Sequence, residues 1–83
     1  MSKDIVKQLL DELEIETSDH WTTKRKLGDM EFICYYYTFG NYCVSGDGIS
    51  YVFSNTDGDM LYMGYSMEKL KKTIKKELRK NWH

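Results

Sequence analysis

Residues 29–65 read DMEFICYYYTFGNYCVSGDGISYVFSNTDGDMLYMGY. These 37 residues contain no Lys, Arg or His, yet they hold all seven tyrosines, all three phenylalanines and both cysteines. Apolar and aromatic runs alternate here with dipeptides that reverse the chain. Gly28-Asp29 and Gly40-Asn41 suit type II′ hairpin turns, in which the first central residue has positive φ; Asp47-Gly48 and Asp57-Gly58 suit type I′. The spacing predicts five strands, Trp21–Leu27, Met30–Phe39, Tyr42–Gly46, Ile49–Thr56 and Asp59–Gly64. Connections this short make the sheet an antiparallel meander.

Two-residue turns fix the register, and register fixes the faces. Leu27 should pair with Met30, Phe39 with Tyr42, Gly46 with Ile49 and Thr56 with Asp59. One face then collects Trp21, Leu27, Met30, Phe32, Cys34, Tyr36, Cys43, Val52, Leu61 and Met63, with Thr38, Ser45 and Ser50 between them. The other collects Ile33, Tyr35, Tyr37, Phe39, Tyr42, Val44, Ile49, Tyr51, Phe53, Met60 and Tyr62. Both are apolar, whereas an antiparallel sheet with one wet side alternates cleanly.

Working outward, the sheet is flanked by two amphipathic helices. The first is expected from Ser2, as N-cap, to about Glu14, with Ile5, Val6, Leu9, Leu10 and Leu13 on one stripe. The last begins after Ser66, a second N-cap, with Glu68 in its first turn. Met67, Leu70, Ile74 and Leu78 form its stripe, which Trp82 extends. Lys69, Lys72, Lys75, Lys76, Arg79 and Lys80 face away. The fold class is therefore α+β, a four- to five-stranded antiparallel meander between an N-terminal and a C-terminal helix (α-β-β-β-β-β-α). At 83 residues it forms a single domain, residues 1–83.

Two short helices cover about one face of such a sheet. The Met, Leu, Val and Cys face is the expected seat, which leaves the tyrosine face to a partner. Tyrosine suits that task because a large ring carries a hydroxyl usable by water or by another molecule. Partner-binding residues are thus expected at Tyr35, Tyr37, Tyr42, Tyr51, Phe53 and Tyr62. Asp47 and Asp57 at the hairpin tips would add acidic contacts. The same face could pair two copies as a homodimer about a twofold axis.

Charge is unevenly spread about a net −1: residues 1–20 carry −4, 21–28 carry +3, 29–65 carry −5 and 66–83 carry +5. This excludes both a general polycation and a polyanionic mimic of DNA. Lys24, Arg25 and Lys26, with Lys72, Lys76 and Arg79 of the last helix, form an alternative nucleic-acid or nucleotide site. Lys outnumbers Arg ten to two, which disfavours bidentate base reading.

No apolar run approaches the roughly 18 residues of a membrane span. Met1-Ser2-Lys3-Asp4 lacks a signal-peptide core, so a cytoplasmic chain with free thiols is expected. The two histidines, His20 and His83, form no evident catalytic set with Cys34. Cys34 and Cys43 have neither zinc nor disulfide spacing, and Asp57-Gly58-Asp59 lacks the alternating acids of a calcium loop. No enzyme activity, metal or cofactor is expected. Small size and an aromatic face are shared by many phage-encoded inhibitors. The expected role is therefore a non-enzymatic inhibitor or adaptor that occludes a host protein, such as a nuclease or defence complex.

Overall fold

The computed structural model describes residues 4–80. Helix α1 (Ile5–Glu12) is followed by strands β1 (Asp19–Leu27), β2 (Met30–Phe39), β3 (Tyr42–Gly46), β4 (Tyr51–Asn55) and β5 (Met60–Gly64), then helix α2 (Met67–Lys80). The strands form one antiparallel sheet in sequence order. The expected cap at Ser2, the extension to Trp82, and His83 lie outside the described residues.

Helix α1 is capped by Asp4, whose carboxylate accepts the backbone N–H of Lys7 at 3.0 Å. It ends in a left-handed residue, Glu14 with φ 56°; Glu14 N–H donates to Asp11 O and Ile15 N–H to Leu10 O. This pair of bonds closes the last turn as a Schellman motif. Ser66 caps α2 through Lys69 N–H at 3.3 Å.

The first two hairpins have the expected register, Leu27 opposite Met30 and Phe39 opposite Tyr42. Their turns use Gly28 and Gly40 at φ 62° and 56°, as a type II′ first position requires. The other two turns differ. Gly46 pairs with Tyr51, not Ile49, because the Asp47 carboxylate accepts the N–H groups of Ile49 and Ser50 and holds a four-residue connection. A two-residue shift preserves strand parity, so the faces survive. At the β4–β5 turn Asn55 Oδ1 accepts from the N–H groups of Asp57 and Asp59, Gly58 is left-handed, and a bulge falls at Phe53/Ser54. This bulge exchanges two residues between faces: Met60 is exposed, opposite Ser54, and Leu61 packs against the core.

The helices lie on the tyrosine face, not on the Met, Leu, Val and Cys face where they were expected. Helix α1 packs over β3, and α2 over β4 and β5. Val6, Leu10, Leu70, Ile74, Val44 and Phe53 are the largest fully buried side chains, each stabilising by about 1.5–3 kcal/mol. Rings stack beneath the helices, Phe39 on Phe53 at 6.2 Å and Tyr42 on Phe53 at 5.3 Å. Glycine at position 46 lets Val6 and Tyr51 close over β3.

Strand β3 pairs with β2 only from Tyr35 onward, so residues 30–34 of β2 bond to β1 alone. Strands β1 and β2 thus extend past the rest of the sheet as a two-stranded arm. The molecule is accordingly elongated, 48 × 23 × 22 Å.

Candidate functional site

The residues expected to meet a partner are mostly core. Tyr37 and Tyr51 are 6 % and 5 % exposed and Phe53 is fully buried. Tyr35, Tyr42 and Tyr62 are half-buried and pack against that core. Two of the hydroxyls, those of Tyr37 and Tyr62, work inside the domain. Tyr37 donates to the Asp4 carboxylate and so ties the start of α1 to β2. Tyr62 donates to Ser66 O and accepts from Ser66 N–H, fixing the start of α2. Burial, then the hydrogen bond and charge of Asp4, pushes the Tyr37 hydroxyl well above its usual pKa. Burial likewise raises Tyr51, with Asp47 and Tyr62 adding to the shift. These six aromatic residues are not a docking face.

The acids also divide. Desolvation raises the Asp47 carboxyl, but hydrogen bonds from Ser50, Ile49 and its own backbone outweigh it and leave the pKa below the usual range. Asp47 is therefore a turn-former. Asp57 is exposed at the β4–β5 turn.

The helix-free face is the open one. Trp21, Leu27, Met30, Met63 and Tyr65 are between 43 % and 79 % exposed. Trp21 stacks on Tyr36 across β1 and β2, with centroids 5.3 Å apart and planes within 5°. Phe32, Val52 and Cys43 lie half-buried between them. Arg25 belongs to the same face as Trp21 and Leu27, since side chains alternate along β1. With Ser50, Val52, Met63, Gly64 and Tyr65 it lines a cleft of about 300 Å³. The face therefore offers apolar surface, a stacked aromatic pair and one guanidinium.

The residues expected to form one basic site are not contiguous. Arg25 faces the open side, whereas Lys24 and Lys26 alternate to the other side, where Lys24 Nζ lies 4.0 Å from Glu31. Lys72, Lys76 and Arg79 are on α2, over the opposite edge of the sheet. Between them runs α1 with exposed Asp11 and Glu12, the latter 2.9 Å from Lys71 Nζ.

His20 pairs with Tyr37 and Cys34 with Thr23, which sets His20 and Cys34 on opposite faces and prevents a nucleophile–base pair. Cys34 is buried, and burial raises the pKa of the Cys43 thiol. Among the described residues no group of three or more His, Cys, Asp or Glu could hold a metal ion, and no helix is long and apolar enough to cross a membrane. Comparison with protein-family models, curated proteins and solved structures finds no match.

A sequence signal did separate the faces. Thr38, Ser45 and Ser50 fall among the apolar residues of one face only. Small hydroxyl side chains interleaved with apolar ones mark the side that keeps water, and the uninterrupted rings mark the core.

Proposed function

We propose that this chain is a non-enzymatic protein-binding module, acting as an inhibitor or adaptor that occupies a partner surface with its helix-free sheet face and β1–β2 arm. The observation that carries this reading is the set of large apolar side chains on that face, 43–79 % exposed from Trp21 to Tyr65. Soluble domains rarely leave such residues in one contiguous patch unless another molecule covers it. Trp, Tyr, Met and Arg are the types enriched in interface cores. The partner should present an apolar surface with a carboxylate placed to reach Arg25 in its cleft.

The test uses Met30→Glu/Met63→Glu in one chain and Arg25→Ala in another. Both methionines are more than half exposed, so stability should change by less than about 0.5 kcal/mol each. Wild-type bait identifies the partner from the host lysate by mass spectrometry, and calorimetry with the purified partner follows. The double variant should bind at least about tenfold more weakly, roughly 1.4 kcal/mol, with unchanged circular dichroism. Equal binding by both variants and wild type would overturn the assignment of this face. Light scattering across concentration distinguishes a second copy of this chain from a foreign partner.

A further inference from the structure

The outward face of α2 is a cationic ridge. Among the described residues, Lys72, Lys75, Lys76, Arg79 and Lys80 line a shallow concavity of about 570 Å³. Lys80 is paired with Glu77 at 3.1 Å and Lys71 with Glu12 at 2.9 Å. Lys72, Lys75, Lys76 and Arg79 have no ion-pair partner among the described residues. The one exposed acid of α2 is Glu68, at its first turn and away from the C-terminal half of the ridge. The helix dipole accounts for Arg79 and Lys80, which fall in the last turn. It does not account for Lys72, Lys75 and Lys76, one to two turns earlier.

We propose that this ridge is a second binding surface, for the phosphate backbone of nucleic acid, on the side of the sheet opposite the protein-binding face. At 1.5 Å per residue, Lys72 to Arg79 spans about 10 Å, with a cation on the outer side at every turn of about 5.4 Å. A linear row of unneutralised cations matches a linear row of phosphates. Two other polyanions fit less well. Insertion into an anionic membrane needs an exposed apolar stripe, but Leu70 and Ile74 are fully buried against the sheet. An acidic protein partner would be held by aromatic or apolar anchors among the charges; the described lining of the concavity is cationic throughout, and the neighbouring Leu13 and Leu78 are half-buried beside Lys75 and Arg79. Four lysines or arginines without a planar array of base-reading groups give sequence-independent contact.

The two surfaces are independent, because the sheet and both helices separate them. The chain can hold a phosphate backbone on α2 while its open face engages a protein. This inference does not rest on the protein-binding reading, and either can fail alone.

Fluorescence anisotropy with a labelled 20-base-pair duplex is the test, using the full chain between 50 and 200 mM salt. Four phosphate contacts give a log–log slope near −3.6, a roughly hundredfold loss of affinity over that range. Lys72→Gln/Lys76→Gln should halve the slope to about −1.8, with unchanged circular dichroism; the open-face variant Met63→Glu should leave it unaltered. Three results would each overturn the inference. These are no binding at 50 mM salt, an unchanged slope in the double variant, and binding to phosphatidylserine vesicles or polyglutamate as tight as to duplex at equal charge concentration.

Discussion

Replacing Tyr37 by Phe removes one oxygen from the joint between α1 and the sheet, and its effect should fade as pH rises. The Tyr37 hydroxyl donates to the Asp4 carboxylate, which also caps α1 through Lys7 N–H. Hydrogen bonds to charged groups contribute about 1.5–3 kcal/mol. Asp4 is only half-buried and keeps its cap bond, so the lower end applies, and Tyr37→Phe should cost about 1.5 kcal/mol at pH 7. Burial first, then Asp4, raises the Tyr37 pKa in the folded chain. A raised folded pKa means that the contribution is complete below the unfolded value of about 10 and declines as pH climbs above it. At pH 11 the unfolded tyrosine has gained about 1.4 kcal/mol by ionising. The wild type has then lost nearly all that the hydroxyl supplied, while the Phe variant has lost none of it. Tyr51, also raised by burial, penalises both proteins equally. Urea unfolding followed by circular dichroism at pH 7, 9, 10 and 11 should therefore show two stabilities converging near pH 11. A gap that is constant from pH 7 to 11, or absent at pH 7, refutes the assignment of Tyr37 as a buried, Asp4-bonded core residue.

Two further substitutions probe how the helices are set on the sheet. Glu14 occupies the left-handed position that closes α1. Glu14→Gly relieves about 1–2 kcal/mol of backbone strain against about 0.4–1 kcal/mol of added chain entropy when unfolded. A net gain of about 0.5–1 kcal/mol raises the melting temperature by about 3–6 °C in a domain of this size, and a scan showing no rise contradicts the geometry. Gly46→Ala would put a methyl group 2.7 Å from Tyr51 Cδ1 and 2.8 Å from Val6 Cγ2. It should cost about 1–3 kcal/mol by overpacking. An unchanged urea midpoint would mean that α1 does not press on β3 there.

Element order, strand number and most of the residue-to-face assignment were legible in the sequence, because turn dipeptides and period-two alternation are local signals. Even the misread Asp47-Gly48 turn did no harm to the faces: its carboxylate lengthened the loop by two residues, and two is the period of the strand. The Asn55–Asp59 turn was less forgiving. Asn55 gathered two backbone N–H groups on its side chain and drove a one-residue bulge, so Leu61 and Met60 changed places. Turn chemistry and alternation left the face the helices take open, since that depends on how two apolar surfaces far apart in sequence fit together; the one local sign of it is the set of small hydroxyl side chains, Thr38, Ser45 and Ser50, on the helix-free face. Tyrosine hydroxyls suggested exposure, but within the fold Tyr37 and Tyr62 spend theirs on the two helix starts, Asp4 and Ser66. A buried tyrosine with a partner is as stable a solution as a wet one.

The open face then follows from dimensions. Helices of 8 and 14 residues are about 12 and 21 Å long and about 10 Å wide. Side by side they shade about 20 Å, and their contacts run to β3, β4 and β5 while β1 stays exposed throughout. One layer of helix is thus used up on one face, and nothing among the described residues returns to cover the other. The arm makes the shortfall larger: ten-residue β2 reaches about 34 Å, beyond the end of β3, and carries Met30 and Phe32 with it, beside Leu27 at the end of β1. A two-stranded ribbon of this kind is only marginally stable alone. Closing a partner over Leu27, Met30 and Phe32 together with Met63 would therefore bury apolar surface and brace the arm in one step. On that argument, hydrogen exchange in residues 24–33 should slow on partner binding more than in β3 or β4, whose amides the helices already protect; equal protection across all five strands would show that the arm is not part of the contact.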